Sequence, residues 1–241
     1  MLLSSQSNPP IWKPFLTACR EDILYQSRVH RLRSFEREGT EVWLKREDES
    51  GFGTSGSKKR KIASLLPWLK QQDIQRLGII GGARSNHVVS LLQWAREESL
   101  EVRCLLKASQ TPAEGGNAML LRLLCEEREI RWLSAEEWPV AEEIAEKEFG
   151  GEDAYIVQEG GYCAAAVAGA ATLLMDIERN EQALGGAFDQ IVIDAGTGLS
   201  AAVLCCINAW RERKTEIHVV LTAGTIQTFG EAVAKVGLLP P

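Results

Sequence analysis

Short apolar runs alternate with longer amphipathic stretches along most of this chain, and that alternation constrains the fold more than any single residue does. Residues 41–45, 77–80, 102–106, 130–133, 155–157, 190–193 and 217–221 read as strands. Residues 58–70, 86–98, 116–128, 136–149, 164–179 and 199–213 read as helices; in the first of these Ile62, Leu65, Leu66 and Leu69 recur at helical spacing. Strands that alternate with helices predict βαβ units, hence an α/β fold with a parallel sheet covered on both faces. The crossovers should be right-handed. A chain of 241 residues suits one large domain or two small ones. It can bury a sizeable core without disulfides or a structural metal. Residues 109–115, which include Pro112, read as a loop rather than a domain boundary.

The charge balance narrows the function classes. There are 27 basic and 33 acidic residues, a net charge of −6, so the chain lacks the basic face that a general nucleic-acid binder needs. Apolar residues at 45% and charged residues at 25% exclude a disordered tail, a collagen-like chain and a coiled-coil rod. Cys19, Cys104, Cys125, Cys163, Cys205 and Cys206 form no Cys-x-x-Cys pair, and with three histidines no metal site is expected. The cysteines read as buried free thiols in a reducing compartment. The N-terminus lacks a signal-peptide pattern, and no segment approaches the ~18 unbroken apolar residues of a membrane span. The expectation is a cytoplasmic protein with no membrane partner.

In parallel α/β folds, ligands sit where strand ends lead into helix N-termini, and three such loops stand out. The first is residues 51–61, glycine- and serine-rich and ending in Lys58, Lys59, Arg60 and Lys61. Cations in a helix's first turn oppose the macrodipole. The run reads either as a solvated or nuclear-localisation-like basic patch, or as a lysine whose pKa is lowered by like charges and the dipole. A neutral lysine is a nucleophile toward aldehydes. The second loop, residues 79–87, runs through Gly81 and Gly82 to Ser85 and Asn86. Either of the last two can cap the following helix, or hold a hydroxyl and an amide over a ligand. The third, residues 191–201, is a strand, a glycine turn and a helix start, an anion site built of backbone N–H groups. It also matches a dinucleotide fingerprint. However, the next strand ends in Thr222, Ala223 and Gly224 rather than in a ribose-binding acid, so a single phosphate is preferred.

Together these loops resemble one family. Trp43-Leu44-Lys45-Arg46-Glu47-Asp48, Gly51-Phe52 and Ser55-Gly56-Ser57-Lys58-Lys59-Arg60-Lys61 are similar to the "KRED…GF…GGNK.RK" segment of fold type II pyridoxal-phosphate enzymes. The branch is that of 1-aminocyclopropane-1-carboxylate deaminase and D-cysteine desulfhydrase. Gly81-Gly82-Ala83-Arg84-Ser85-Asn86-His87 resembles that branch's "GG.QSNH". Gly116-Asn117, Glu159-Gly160-Gly161 and Gly196-Thr197-Gly198 follow in the family's order.

The resemblance implies two parallel-sheet α/β domains of the tryptophan synthase β-like kind. Residues 1–64 and 165–241 would form the larger, cofactor-binding domain and residues 65–164 the smaller one. It implies pyridoxal 5'-phosphate as cofactor and a small amino acid as substrate. Lys58 would be the Schiff-base lysine and proton shuttle. Ser85 would meet the substrate carboxylate or move a proton, and Asn86 would bond the cofactor's phenolic oxygen. Gly196, Thr197, Gly198, Leu199 and Ser200 would cradle the phosphate. The basic turn would then be explained, with Lys58 consumed and its neighbours facing a phosphate.

The chain departs from the family pattern at Ser57, Arg84, Tyr162, Cys163 and Leu199, where a Cβ is expected to restrict the phosphate loop. It ends at Pro240 and Pro241, where a full family member continues, so the larger domain is expected to be truncated. Three readings follow: a deaminase or lyase, a degenerate binding relative, or a structural partner protein that pairs through an open sheet edge. A homodimer covering that edge is expected.

Overall fold

The computed structural model describes residues 13–24, 26–49, 56–108 and 115–237. Residues 51–55 of the first loop and 109–114 of the loop at 109–115 lie outside the described residues. In chain order the elements are α1 (Lys13–Thr17), β1 (Val29–Arg31), β2 (Trp43–Lys45), α2 (Lys59–Gln71), β3 (Arg76–Gly82), α3 (Asn86–Glu97), β4 (Glu101–Lys107) and α4 (Asn117–Leu124). They continue with β5 (Ile130–Leu133), α5 (Ala141–Phe149), β6 (Ala154–Val157), α6 (Val167–Leu184), β7 (Gln190–Ala195), α7 (Leu199–Trp210), β8 (Glu216–Leu221) and α8 (Ile226–Gly237).

Four strands form a parallel sheet in the order β5-β4-β3-β6, with Ile79 opposite Cys104 on one side and Val157 on the other. The five central residues of β3 are all buried, as expected for an inner parallel strand covered on both faces. Leu77 and Ile79 join one core with Ile62 and Leu65 of α2 and Val88, Leu91 and Leu92 of α3. Ile80 joins another with Leu105, Leu133 and Ala141, Ala145 and Phe149 of α5.

A second, two-stranded parallel sheet pairs β7 with β8, Ile191 opposite Ile217. Its inner face, Ile191, Ile193 and Ile217, packs on the core shared by α6, α7 and α8. Its other face carries Val192, Asp194, His218 and Val220, and Val192 is 69% exposed. The expected cover on both faces therefore holds for the four-stranded sheet only, because no described element lies over the outer face of β7–β8.

Several boundaries shift for local reasons. The expected helix at 136–149 begins as a 3-10 turn at Trp138–Val140, where Pro139 lacks an N–H, and turns α-helical only at Ala141. The helix expected to reach residue 128 stops at Leu124, whose carbonyl accepts from Arg96 Nε at 2.8 Å. Strand β1, antiparallel to the expected β2, and helix α8 were outside the alternation. Pro67 sits inside α2 and cannot donate to the Ala63 carbonyl; Arg20 N donates to it instead, at 2.8 Å.

Helix α6 packs closely on α2. A Cβ at Gly169 would fall 1.9 Å from the Arg60 carbonyl oxygen, so glycine is required at this crossing. A buried ionic network joins the same two helices. Arg60 donates from Nε and Nη2 to the two oxygens of Glu47, both at 2.7 Å, and from Nη2 to Asp176 Oδ2 at 2.6 Å. Lys45 Nζ donates to Asp176 Oδ2 at 2.8 Å and to Asn180 Oδ1 at 2.7 Å. Burial pushes the Asp176 carboxyl up, but Arg60 and Lys45 pull it below its ordinary value. All six cysteines are free; Cys19, Cys104 and Cys125 are buried, while Cys163, Cys205 and Cys206 are only half-buried.

Candidate functional site

The basic run is not a solvated patch. It starts at a 3-10 turn, Gly56–Lys58, that feeds α2 and packs against α3. Its four cations go in different directions. Arg60 is held in the Glu47–Asp176 network. Lys59 is half-buried, within the field of Asp22 and Glu97. Lys61 is 2% exposed and its Nζ donates to the Gly160 carbonyl at 3.0 Å. Lys58 is half-buried. The expectation that all the neighbours of Lys58 face a phosphate is therefore corrected: carboxylates claim Arg60 and steer Lys59, and only Lys61 is left for an anion.

Burial lowers the Lys58 pKa, and Asp194 at the end of β7 only partly restores it. The expected direction is observed, but its cause is desolvation rather than repulsion between neighbouring cations. Burial, reinforced by Lys58, lowers Lys61 to about 7. Among the described residues no carboxylate forms an ion pair with either lysine. Two amines in one partly dehydrated place, with Asp194 acting on Lys58 at a distance and no ion pair among the described residues, form a site that suits an anion.

The backbone around them packs closely, and two glycines make that possible. Gly160 and Gly161, after β6, have φ of +72° and +70°. A Cβ at Gly160 would fall 1.9 Å from Thr197 Oγ1, which places the β6–α6 turn against the β7–α7 turn. The N-terminus of α7 opens there, with Gly196 and Thr197 exposed. Gly198, at φ +91°, is the residue before α7 that takes the left-handed conformation. Leu199 is the first residue of α7 and does not take a positive φ, so its Cβ is accommodated there, and its side chain joins the core with Val203 and Ala166. Ser200 follows in the first turn of α7, half-buried.

The second loop lies beside this cluster at the start of α3. Ser85 caps that helix; its Oγ accepts from His87 N at 3.2 Å and Val88 N at 3.4 Å. Asn86 is exposed, and its Oδ1 accepts from Asn117 Nδ2 at 2.5 Å. Asn117 Nδ2 also donates to the Arg84 carbonyl at 3.0 Å, tying α4 to this loop. His87 turns inward: a Cβ on Gly161 would lie 2.4 Å from its Cε1. Lys58, Lys61, His87, Gly160, Gly161 and Thr197 thus gather at one place. Ser85 sits in the cap beside them, and Asn86 bonds toward α4. Sequence reasoning named Lys58 and Thr197 but missed Lys61, Gly160 and His87. Their signal was present only as members of motifs, since burial is invisible in a linear pattern.

Comparison with known proteins decides what anion chemistry this is. A family model described as "Pyridoxal-phosphate dependent enzyme" matches residues 21–235. The chain belongs to that family.

Among this family's curated members, the chain is 27% identical over 194 residues to the bifunctional D-cysteine desulfhydrase/1-aminocyclopropane-1-carboxylate deaminase of Arabidopsis thaliana. That match covers 75% of this chain and 48% of the relative. It is 28% identical over 215 residues to the 1-aminocyclopropane-1-carboxylate deaminase of Rhizobium radiobacter, covering 81% of this chain and 61% of the relative. A crystal structure of an ACC deaminase homologue superposes with a TM-score of 0.77 at 24% identity, over 95% of this chain and 72% of that one. The chain spans about half the length of the curated relatives it matches. The fold is that of the fold type II pyridoxal-phosphate enzymes, α/β with a parallel sheet.

The residues present fit the family's cofactor. A half-buried amine of lowered pKa suits its aldehyde. A buried amine that forms no ion pair among the described residues and the exposed N-terminus of α7 suit its phosphate. Among the described residues no helix is long and apolar enough to cross a membrane.

Proposed function

We propose that this chain is a pyridoxal-phosphate-dependent lyase or deaminase acting on a small amino acid of the D-cysteine or 1-aminocyclopropane-1-carboxylate type. The observation that carries the reading is the pairing of Lys58 and Lys61, two partly dehydrated amines that form no ion pair among the described residues, beside the open N-terminus of α7. When bound, pyridoxal phosphate supplies an electron sink for the bond broken at the substrate α-carbon.

The chain's own residues do the rest. Lys58 carries the covalent attachment and, once free, takes and returns a proton at the substrate α-carbon. Gly196, Thr197, Gly198, Leu199 and Ser200 offer backbone N–H groups to the phosphate, and the Lys61 ammonium adds its charge. Ser85 presents its hydroxyl to the substrate carboxylate while capping α3. Asn86 would donate from its Nδ2 to the cofactor's ring oxygen from the same turn, while its Oδ1 goes on accepting from Asn117. The division into a larger domain of residues 1–64 and 165–241 and a smaller one of 65–164 is supported by the two separate parallel sheets. A homodimer and a cytoplasmic setting complete the reading, supported by the open β7–β8 face and by the free thiols.

The test is an assay of the purified chain, supplied with pyridoxal phosphate, on D-cysteine, L-cysteine and 1-aminocyclopropane-1-carboxylate, with release of the keto acid measured. Turnover of at least one, lost by more than about 10²-fold in Lys58→Ala, is expected. No keto acid from any of them with the cofactor bound would contradict the reading.

A further inference from the structure

His87 has an unusual environment for an interior side chain. It is 2% exposed, and neither Nδ1 nor Nε2 has a hydrogen-bond partner. Buried polar atoms in folded proteins are almost always paired, so an imidazole with both nitrogens idle calls for an explanation. The ring's Cε1, Nε2 and Nδ1 would lie 2.4, 2.7 and 3.3 Å from a Cβ on Gly161, whose missing side chain makes room for it. Burial, with Lys61 and Lys58 adding repulsion, lowers its pKa to about 3, so the ring is neutral. A neutral imidazole has one N–H to donate and one nitrogen that accepts. The two lysines can serve the accepting nitrogen. The Gly160 carbonyl accepts from Lys61 and not from the ring. What the ring's N–H lacks is an acceptor, and the charge lacking at the same spot is negative. One ligand oxygen satisfies both needs.

We propose that His87 is a further ligand-contacting residue of the site, donating its ring N–H to an oxyanion that Lys58 and Lys61 draw in. The oxyanion is a phosphate monoester or an amino-acid carboxylate, since both offer the same acceptor oxygens. This inference rests on the proposed cofactor site and adds to it a ligand contact that the capping loop does not reveal.

The chain has only three histidines, and His30 and His218 are exposed on β1 and β8, so they serve as internal controls. The full chain, labelled with ¹⁵N, is followed by long-range ¹H–¹⁵N correlation of the imidazole nitrogens. Inorganic phosphate, D-alanine and pyridoxal phosphate are titrated separately. The proposal predicts that the His87 nitrogens shift with phosphate or with D-alanine while His30 and His218 stay in place. The titrant that moves them identifies the oxyanion. His87→Phe, which keeps the ring and removes the nitrogens, should bind that titrant about tenfold more weakly, and His87→Gln should restore part of the loss.

His87 nitrogens that stay put in all three titrations overturn the proposal, as does unchanged affinity in His87→Phe. Failure of the cofactor reading shows up separately, as absence of a visible absorbance band with pyridoxal phosphate. The phosphate and D-alanine arms decide the role of His87 whichever way that goes.

Discussion

Lys58 and Lys61 lie three residues apart on one helix start, and burial gives both a character that exposed lysines lack. An ordinary lysine has a pKa of 10.5, whereas Lys61 is lowered to about 7. Between those values the unfolded chain holds a proton that the folded chain has released, so stability rises with pH across that window. Lys61→Met removes this dependence. In anion-free buffer the variant should melt higher than the parent at pH 7, and the gap should shrink as pH rises toward 10. Thermal melts at the two pH values measure it, and a gap that does not change with pH would contradict the assignment. Lys58 was readable from its motif and from its place against the helix dipole. The burial of Arg60 and Lys61 was not, because a run of cations in a sequence describes a solvated face equally well. What buries them is α6 and the Gly160 turn, about a hundred residues further along the chain, and no local pattern encodes that contact.

Helix α2 is the element on which the site depends, and its first turn is anchored by Arg60. Buried ion pairs contribute little net stability, but removing one partner strands the other charge. Asp176 is 1% exposed, and Glu47 leans on the same guanidinium. Arg60→Leu should therefore cost about 3–5 kcal/mol at pH 7. The two carboxylates have folded pKa values held below their ordinary 3.8 and 4.5. Their contribution is full above those ordinary values and is lost as pH falls through the lowered ones. The deficit of Arg60→Leu should accordingly narrow under acid, where protonated carboxyls no longer need a partner. Urea unfolding at pH 7 and at low pH compares them; an equal deficit at both would sink the idea. The strands and helices themselves were legible, since apolar period and length suffice for an inner parallel strand such as β3 or a helix such as α3. The helix break at Pro139 and the early stop at Leu124 depended on turn geometry and on a single arginine contact, which periodicity does not register.

At the scale of the whole molecule, the two parallel sheets are unequal. The four-stranded sheet is covered on both faces, as its unbroken apolar strands required. The β7–β8 sheet is covered on one, and its outer face shows Val192 and Val220. The alternating exposure of β7 and β8 contrasts with the buried run of β3. Exposed valines on a sheet face that no described element covers make it the candidate surface for a second copy. If a second copy covers it, light scattering at micromolar concentration should give twice the chain mass of 26.6 kDa, and Val192→Lys should return the monomer. A monomer in the parent chain would refute that arrangement. Family membership was legible from the segments around Lys45–Lys61 and Ser85–His87. The structure adds that much of the first segment is ionic scaffolding: Lys45, Glu47 and Arg60 serve α6, and among its described cations Lys58 and Lys61 turn to the site.

The central claim is that Lys58 is the residue that holds pyridoxal phosphate. The direct measurement is to load the chain with the cofactor, fix it with borohydride, digest, and locate the added mass by peptide mass spectrometry. The account predicts a visible absorbance band before reduction, and after it a single modified peptide bearing the label on Lys58. A label on Lys61 or Lys59, label scattered over surface lysines, or an unchanged band and label yield in Lys58→Ala would contradict it.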